Sequence, residues 1–400
     1  MNPKLRSIRP ELATVNGRPV LLLRDPLGLS DRTVAVPQAL APLLLLCDGT
    51  RDESAVRAAL QVRHGIYLSP DRLAEILRHL DEALLLDNET FRLARLRALN
   101  AYRSAPCRPP ALAGQSYPAD PQELASLLDG LLANVPRQPI SLLARGLVSP
   151  HVDYQRGGAV YAEVWSRVAA SARRAEVAVI LGTDHQSEGA LLTVTRQSYA
   201  TPFGTLPTDI RAVEAVADAL EGAPWAEELH HRTEHSIELA AVWLHHIRRG
   251  EPIPLVPILC GSFAPYIEGG VDPATDPAID RAIGALRGAL AGRRALVVAA
   301  GDLAHSGPAF GDPAPAGSAT RAQAREADAA LIGAIARGDA AAFFAQIKAE
   351  QDRRHICGLP PIYLALRLLE PVRGEPAGYA QAPADPQDTS FVSVCGVALL

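Results

Sequence analysis

Aromatic residues are scarce in this chain of 400 residues, where Phe, Trp and Tyr together make up 5%. A surface that stacks sugars or nucleic-acid bases needs exposed rings in number, so that class of binder is disfavoured. Positive charge is also short. Lys and Arg number 39 against 44 Asp and Glu, for a net charge of −5. That leaves no global basic footprint, and nucleic acid is not an expected partner. The pairs Arg173-Arg174 and Arg353-Arg354 read as solvated surface. No apolar run approaches the roughly 18 residues that a membrane-spanning helix needs. The opening Asn2-Pro3-Lys4-Leu5-Arg6 lacks the apolar segment of a secretory signal. A cytoplasmic protein that does not enter the membrane is expected. Cysteines are few and unpaired in pattern: Cys47, Cys107, Cys260, Cys357 and Cys395 are odd in number, with no CxxC. Zinc knuckles and thioredoxin chemistry are therefore disfavoured, and reduced, mostly buried thiols are expected.

What the chain does have is apolar periodicity, with 48% hydrophobic residues and length enough for two or three domains. Residues 1–105 read as a separate module. Pro19–Pro26 is a short strand, Pro37–Leu46 an apolar helix, and a second helix begins near Asp52-Glu53 and runs to His64-Gly65. Ser69 and Pro70 supply the cap and first position of a third helix. Leu84–Asn88 and Phe91–Leu93 then suggest a two-stranded wing, which makes a winged-helix-like α+β domain the expectation. The Pro-rich stretch Ala105–Pro110 is the linker. Beyond it, in residues 106–400, strands alternate with helices. That pattern predicts an α/β domain whose mainly parallel sheet is covered by helices on both faces. Predicted strands include Gly146–Ser149, Val177–Leu181, Leu191–Thr195, Pro254–Cys260, Ala295–Ala300 and Ser390–Ala398, while Tyr199–Gly204 reads as a turn.

Three of those strands run straight into an imidazole and a carboxylate. Ser149-Pro150 leads to His151 and Asp153, Leu181-Gly182 to Asp184 and His185, and Ala300-Gly301 to Asp302 and His305. In open α/β sheets, ligands bind beyond the carboxyl ends of the strands. The three turns are therefore expected to converge on one crevice, with the character of a metal site.

The same residues belong to a longer ordered series. Ala113-Gly114 with Tyr117-Pro118, Ser149-Pro150-His151 with Tyr154, Leu181-Gly182 with His185, and Tyr199-Ala200-Thr201-Pro202 come first. Glu234-His235-Ser236-Ile237-Glu238, Asp302 with His305, and Ile356-Cys357-Gly358 with Pro361-Ile362 follow. Across residues 111–400 the chain resembles the Memo-like family, which shares a fold with class III extradiol ring-cleavage dioxygenases. The resemblance implies a mononuclear divalent-metal site with His151 and His185 as ligands, iron(II) first, with copper and zinc as alternatives. His235 matches the acid/base histidine of the ring-cleaving relatives, and Glu234 or Glu238 would orient it. Glu234 has a simpler reading as a charge at a helix N-terminus. Asp302 and Tyr154 are further supporting positions. In the animal members and the ring-cleaving relatives, a Cys or Glu two residues after the Asp completes the ligand shell. Here that position is Ala304, so either His305 or Asp302 would fill in, His305 being favoured, or water and substrate would complete a shell of two residues. Cys357 matches a family cysteine but reads as a buried structural thiol, and His230, His231, His245 and His246 read as surface residues.

Residues 1–105 also resemble PqqD-like modules of peptide-modification systems, through the Leu-rich helices, Asp48-Gly49-Thr50 and Leu84-Leu85-Leu86-Asp87-Asn88. Together the two resemblances imply an AmmeMemoRadiSam-type protein B. Such a protein would work with a radical-SAM enzyme and an AMMECR-like protein, dock a peptide through residues 1–105, and carry non-haem iron oxygenase-type chemistry. A non-catalytic metal-binding accessory protein and a metal-dependent hydrolase are the alternatives.

Overall fold

The computed structural model describes residues 2–136 and 143–400, which fall into two units, Met1–Ser104 and Ala105–Leu400. In the first, β1 (Glu11–Val15), β2 (Arg18–Arg24) and β3 (Thr33–Pro37) form an antiparallel sheet. Asn16 and Gly17, both at positive φ, make the tight β1–β2 turn. Four helices follow: α1 (Ala41–Leu46), α2 (Glu53–His64), α3 (Pro70–Glu82) and α4 (Glu89–Ser104). Asp52 and Ser69 cap α2 and α3 by accepting the N–H groups of Ala55 and Arg72.

The wing expected at residues 84–93 is not formed. Asn88 Oδ1 accepts the N–H of Phe91 at 3.1 Å, a cap that starts α4, and the sheet of this unit comes from residues 11–37 instead. Buried Arg6 ties the unit together. It donates to Asp25 at 2.7 Å and to the Leu84 carbonyl at 2.6 Å, and lies over the Phe91 ring.

The second unit contains α5 (Pro121–Ala133), β4 (Gly146–Ser149), α6 (Tyr154–Arg174), β5 (Val177–Thr183) and β6 (Leu192–Val194). The hairpin β7 (Tyr199–Thr201) and β8 (Gly204–Leu206) replaces the expected turn. Then come α7 (Ile210–Ala219), α8 (Ser236–Ile247), β9 (Leu255–Cys260), α9 (Ala264–Glu268), α10 (Pro277–Leu290), β10 (Ala295–Ala300) and β11 (His305–Ser306). The chain ends with α11 (Ser318–Arg337), α12 (Ala340–Ala349), α13 (Leu359–Leu369), β12 (Gly374–Pro383) and β13 (Phe391–Leu399). An eight-stranded sheet has the order β11-β13-β4-β10-β5-β9-β6, with β12 paired to β13. The central strands β4, β10, β5 and β9 are parallel, and antiparallel strands flank them on both sides.

Alternation along β5 sends Val177, Val179 and Leu181 into one apolar layer and Ala178 and Ile180 into the other. Helices α7, α10, α12 and α13 contribute to the first layer, and α5, α6 and α8 to the second. All seven β5 residues are buried, and at about 1.5–3 kcal/mol per fully buried aliphatic side chain a one-residue slip would be strongly opposed. Among the described residues, no helix is long and apolar enough to cross a membrane.

Register then decides where the chemistry lies. Ala300 at the end of β10 pairs with Ser149 of β4 and with Gly182 of β5. His151, His185 and Asp302 each follow their paired residue by two or three positions, so they emerge along one short stretch of the sheet's carboxyl edge.

Candidate metal centre

At that edge three imidazoles face one another. The ring centroids of His151 and His185 are 5.0 Å apart, those of His151 and His235 5.1 Å, and those of His185 and His235 4.8 Å. His151 is fixed at both ends. Its main-chain N–H donates to Asp302 Oδ1 at 2.9 Å, and its ring Nδ1 lies 3.1 Å from the Ala300 carbonyl. A carbonyl can only accept, so Nδ1 carries the proton and Nε2 keeps its lone pair. His185 is held the same way by a carboxylate, with Nδ1 3.0 and 3.1 Å from the two oxygens of Glu234.

Glu234 does more than bias a helix terminus. It accepts the main-chain N–H groups of His185, His235 and Ser236, and its Oε1 is 3.0 Å from His235 Nδ1. One carboxylate thus orients two imidazoles and closes the start of α8. Gly182 permits the approach, because a Cβ there would lie 2.5 Å from Ser236 Oγ and 2.7 Å from Ile237 Cγ1.

A thiol stands beside the imidazoles. Cys357 Sγ lies 3.2 Å from His151 Nε2, and the ligand atoms of His151, His185 and Cys357 all fall within 4.8 Å of one another. The thiol expected to be structural thus stands within a group that could hold a metal ion. Two glycines bring it there. A Cβ on Gly301 would sit 2.5 Å from Gly358 Cα, and one on Gly358 would sit 2.5 Å from the Asp302 carbonyl oxygen. Backbone therefore packs on backbone. Gly358 N–H donates to that carbonyl at 2.9 Å, and Thr183 Oγ1 donates to the Cys357 carbonyl at 2.9 Å.

Burial sets the protonation states. It pushes the Cys357 thiol well up, with Asp302 adding to the effect. His151 is held well below the ordinary histidine range by burial and by the facing His185 and His235. Its 3.7 Å approach to Asp302 Oδ2 is for that reason not an ion pair. Burial raises Asp302 to about 6, against the pull of the His151 N–H. Burial works to lower His235, but Glu234 outweighs it and the net direction is up. Burial likewise opposes ionised Glu234, yet His185 and His235 hold it well below the carboxylate range. The centre thus combines a His151 imidazole and a Cys357 thiol that burial keeps neutral with a His235 imidazole whose proton Glu234 helps to hold.

Other expected residues lie elsewhere. His305 joins none of the donor groups found among the described residues. Its Nδ1 faces the Leu303 carbonyl at 3.1 Å, its ring packs on Phe310, and burial lowers it to about 4. Ala304 is buried; its N–H donates to Ser393 Oγ and its carbonyl accepts the Ser393 main-chain N–H, both at 2.8 Å. Glu238 does not orient His235. Its oxygens are taken by Arg108 at 2.6 Å, by Tyr117 and by the N–H groups of Ala111 and Leu112. Tyr154 does not reach the imidazoles either, since its hydroxyl donates to the Leu239 carbonyl at 2.8 Å. His230, His231 and His245 are buried rather than on the surface. Arg354 is mostly buried against Asp328 and Glu350, also contrary to expectation.

Comparison with known proteins gives a consistent result. A family model described as "Memo-like protein" matches residues 108–397. A MEMO1 family protein of Aquifex aeolicus is 28% identical over 292 residues, covering 73% of each chain. One from Thermus thermophilus is 27% identical over 313 residues, covering 78% of this chain and 88% of its own. One from Methanosarcina mazei is 26% identical over 270 residues, covering 68% and 89%.

Proposed function

The chain belongs to the Memo-like family, and from that premise we propose that it is a metal-dependent oxygenase-type protein whose divalent ion is held by His151, His185 and Cys357. The observation that supports this reading is the convergence of two imidazoles and a thiol, with donor atoms within 4.8 Å of one another. Two nitrogens and one sulfur suit a first-row divalent ion and leave coordination positions for substrate. The donor set fits iron(II), with zinc and copper as the competing ions. Bound iron(II) would supply Lewis acidity and one-electron chemistry toward dioxygen and an electron-rich, catechol-like ring.

The chain's own residues supply the rest. Glu234 faces Nδ1 of both His185 and His235 and so orients the two rings. Glu234 raises the proton affinity of His235, which can give a proton to, or take one back from, a group bound beside it. Asp302 holds the His151 main chain, and its carboxyl, raised by burial to about 6, exchanges its proton just below neutrality. The partner reading is also proposed: a radical-SAM enzyme and an AMMECR-like protein working with this one, and peptide docking on residues 1–105. Its support is the sequence resemblance, and co-purification of the three proteins is its test.

The central test is anaerobic reconstitution with iron(II) followed by metal analysis and oxygen uptake with a panel of catechols. Cys357→Ala and His151→Ala should each abolish iron-dependent oxygen uptake. Uptake that survives both substitutions would refute the centre, and iron binding without uptake on any catechol would refute the oxygenase chemistry.

A further inference from the structure

A further group of donors begins with Asp184, the neighbour of His185. Asp184, Glu227 and His230 are 5%, 6% and 2% exposed, so each is more than nine-tenths buried. Their ligand atoms all lie within 4.8 Å of one another. His230 Nδ1 is 2.9 and 3.1 Å from the two Asp184 oxygens and 3.6 Å from Glu227 Oε2.

The two oxygens of Glu227 differ. Oε1 accepts the Ala190 N–H at 3.1 Å, whereas Oε2, which faces His230, is buried with no hydrogen-bond partner. Leaving a buried acceptor unsatisfied carries a cost of about 1–3 kcal/mol, more for a charged group. Charge points the same way. Two ionised carboxylates and one imidazolium leave a buried net charge of −1. Two carboxylates, a neutral imidazole and a divalent cation leave none. Such a cation would take the free oxygen of Glu227 and replace the imidazole proton as the partner of Asp184. The nearby Glu188 adds negative potential, and together with Asp184 and Glu227 it outweighs burial and raises His230.

We propose that Asp184, Glu227 and His230 form a second cation site, for a divalent transition ion such as zinc or manganese. One imidazole nitrogen with two carboxylate oxygens is a common donor set for such ions. The site contains no thiol, which separates it chemically from the centre at Cys357. Asp184 and His185 are consecutive, so one turn after β5 serves both sites and an ion in the second would stiffen a ligand of the first. The inference does not depend on the function proposed above.

The experiment is an anaerobic titration of chelator-treated, full-length protein with cobalt(II), read by absorption and by bound metal per chain. Two equivalents are expected. One gives the intense sulfur-to-cobalt charge-transfer band of a thiolate ligand, and the other gives only weak ligand-field bands. Glu227→Gln keeps the shape but removes the charge, so it should lower the count to one while the charge-transfer band remains. Cys357→Ala should do the reverse, losing the band and keeping the equivalent that Glu227→Gln abolishes. A missing thiolate band with a surviving Glu227-dependent ion would overturn the proposed centre and leave this inference standing. Equal counts in the wild type and Glu227→Gln would overturn the second site. Should that variant not fold, His230→Asn replaces it under the same criteria. A wild-type count of one, carried by the thiolate band, overturns the inference without any variant.

Discussion

Replacing Asp302 by Asn should stabilise the metal-free protein, although the residue lies within the centre. The structure supplies the magnitude. Burial raises the Asp302 carboxyl from 3.8 to about 6, and about two units correspond to roughly 3 kcal/mol. The sign follows from where protons bind. Between pH 3.8 and about 6 the folded chain holds the Asp302 proton more tightly than the unfolded chain does. Stability therefore falls as pH rises through that window, and the whole penalty is present above it. Asn carries no such penalty and keeps an oxygen to accept the His151 N–H. The advantage of Asp302→Asn should thus be near zero at pH 3.8, grow through pH 6 and level off near 3 kcal/mol at pH 8. All three tryptophans, Trp165, Trp225 and Trp243, lie in the larger unit. Their fluorescence during urea unfolding in the presence of a chelator reports that unit alone. Adding a divalent ion should shrink the advantage, because a nearby cation favours the ionised carboxylate. Equal stability of the two proteins at pH 8 under chelation would refute the reasoning, since it would mean that His235 and His185 fully compensate the buried charge.

Three further outcomes are expected. His305→Ala should leave metal affinity within about threefold of wild type by calorimetry, whereas His151→Ala should remove it, because His305 stands apart from the donor group. Gly358→Ala should cost about 1–3 kcal/mol and lose the cobalt charge-transfer band, because its Cβ would meet the Asp302 carbonyl oxygen at 2.5 Å; Gly288→Ala, with open space around it, should bind cobalt normally. Glu234→Gln should lower the His235 pKa, since Glu234 is what raises it, and histidine-resolved NMR titration would show the shift or its absence.

Some of this molecule was legible in the sequence. Apolar runs ended by Gly or Pro marked β4, β5, β9 and β10, and Asp52 and Ser69 marked helix starts that the structure caps with those side chains. Such signals are local, arising from side-chain alternation and from hydrogen bonds spanning three residues. The placement of His151, His185 and Asp302 after strands was visible for the same reason. β12 was not, because its partly buried, Pro- and Gly-containing sequence becomes a strand through pairing with β13. The wing failed because a single cap at Asn88 outweighed the β-like composition of residues 84–93.

The donors themselves were decided by tertiary structure. Cys357 enters the centre because Gly301 and Gly358 let two distant backbones touch, and Glu234 rather than Glu238 orients the imidazoles because Arg108 and Tyr117 take Glu238. His230 is buried because Asp184, 46 residues earlier, is there to receive its proton. A strand or a cap is settled within a few residues. A ligand set depends on contacts across more than a hundred, and nothing in the local sequence encodes which of several similar side chains will meet.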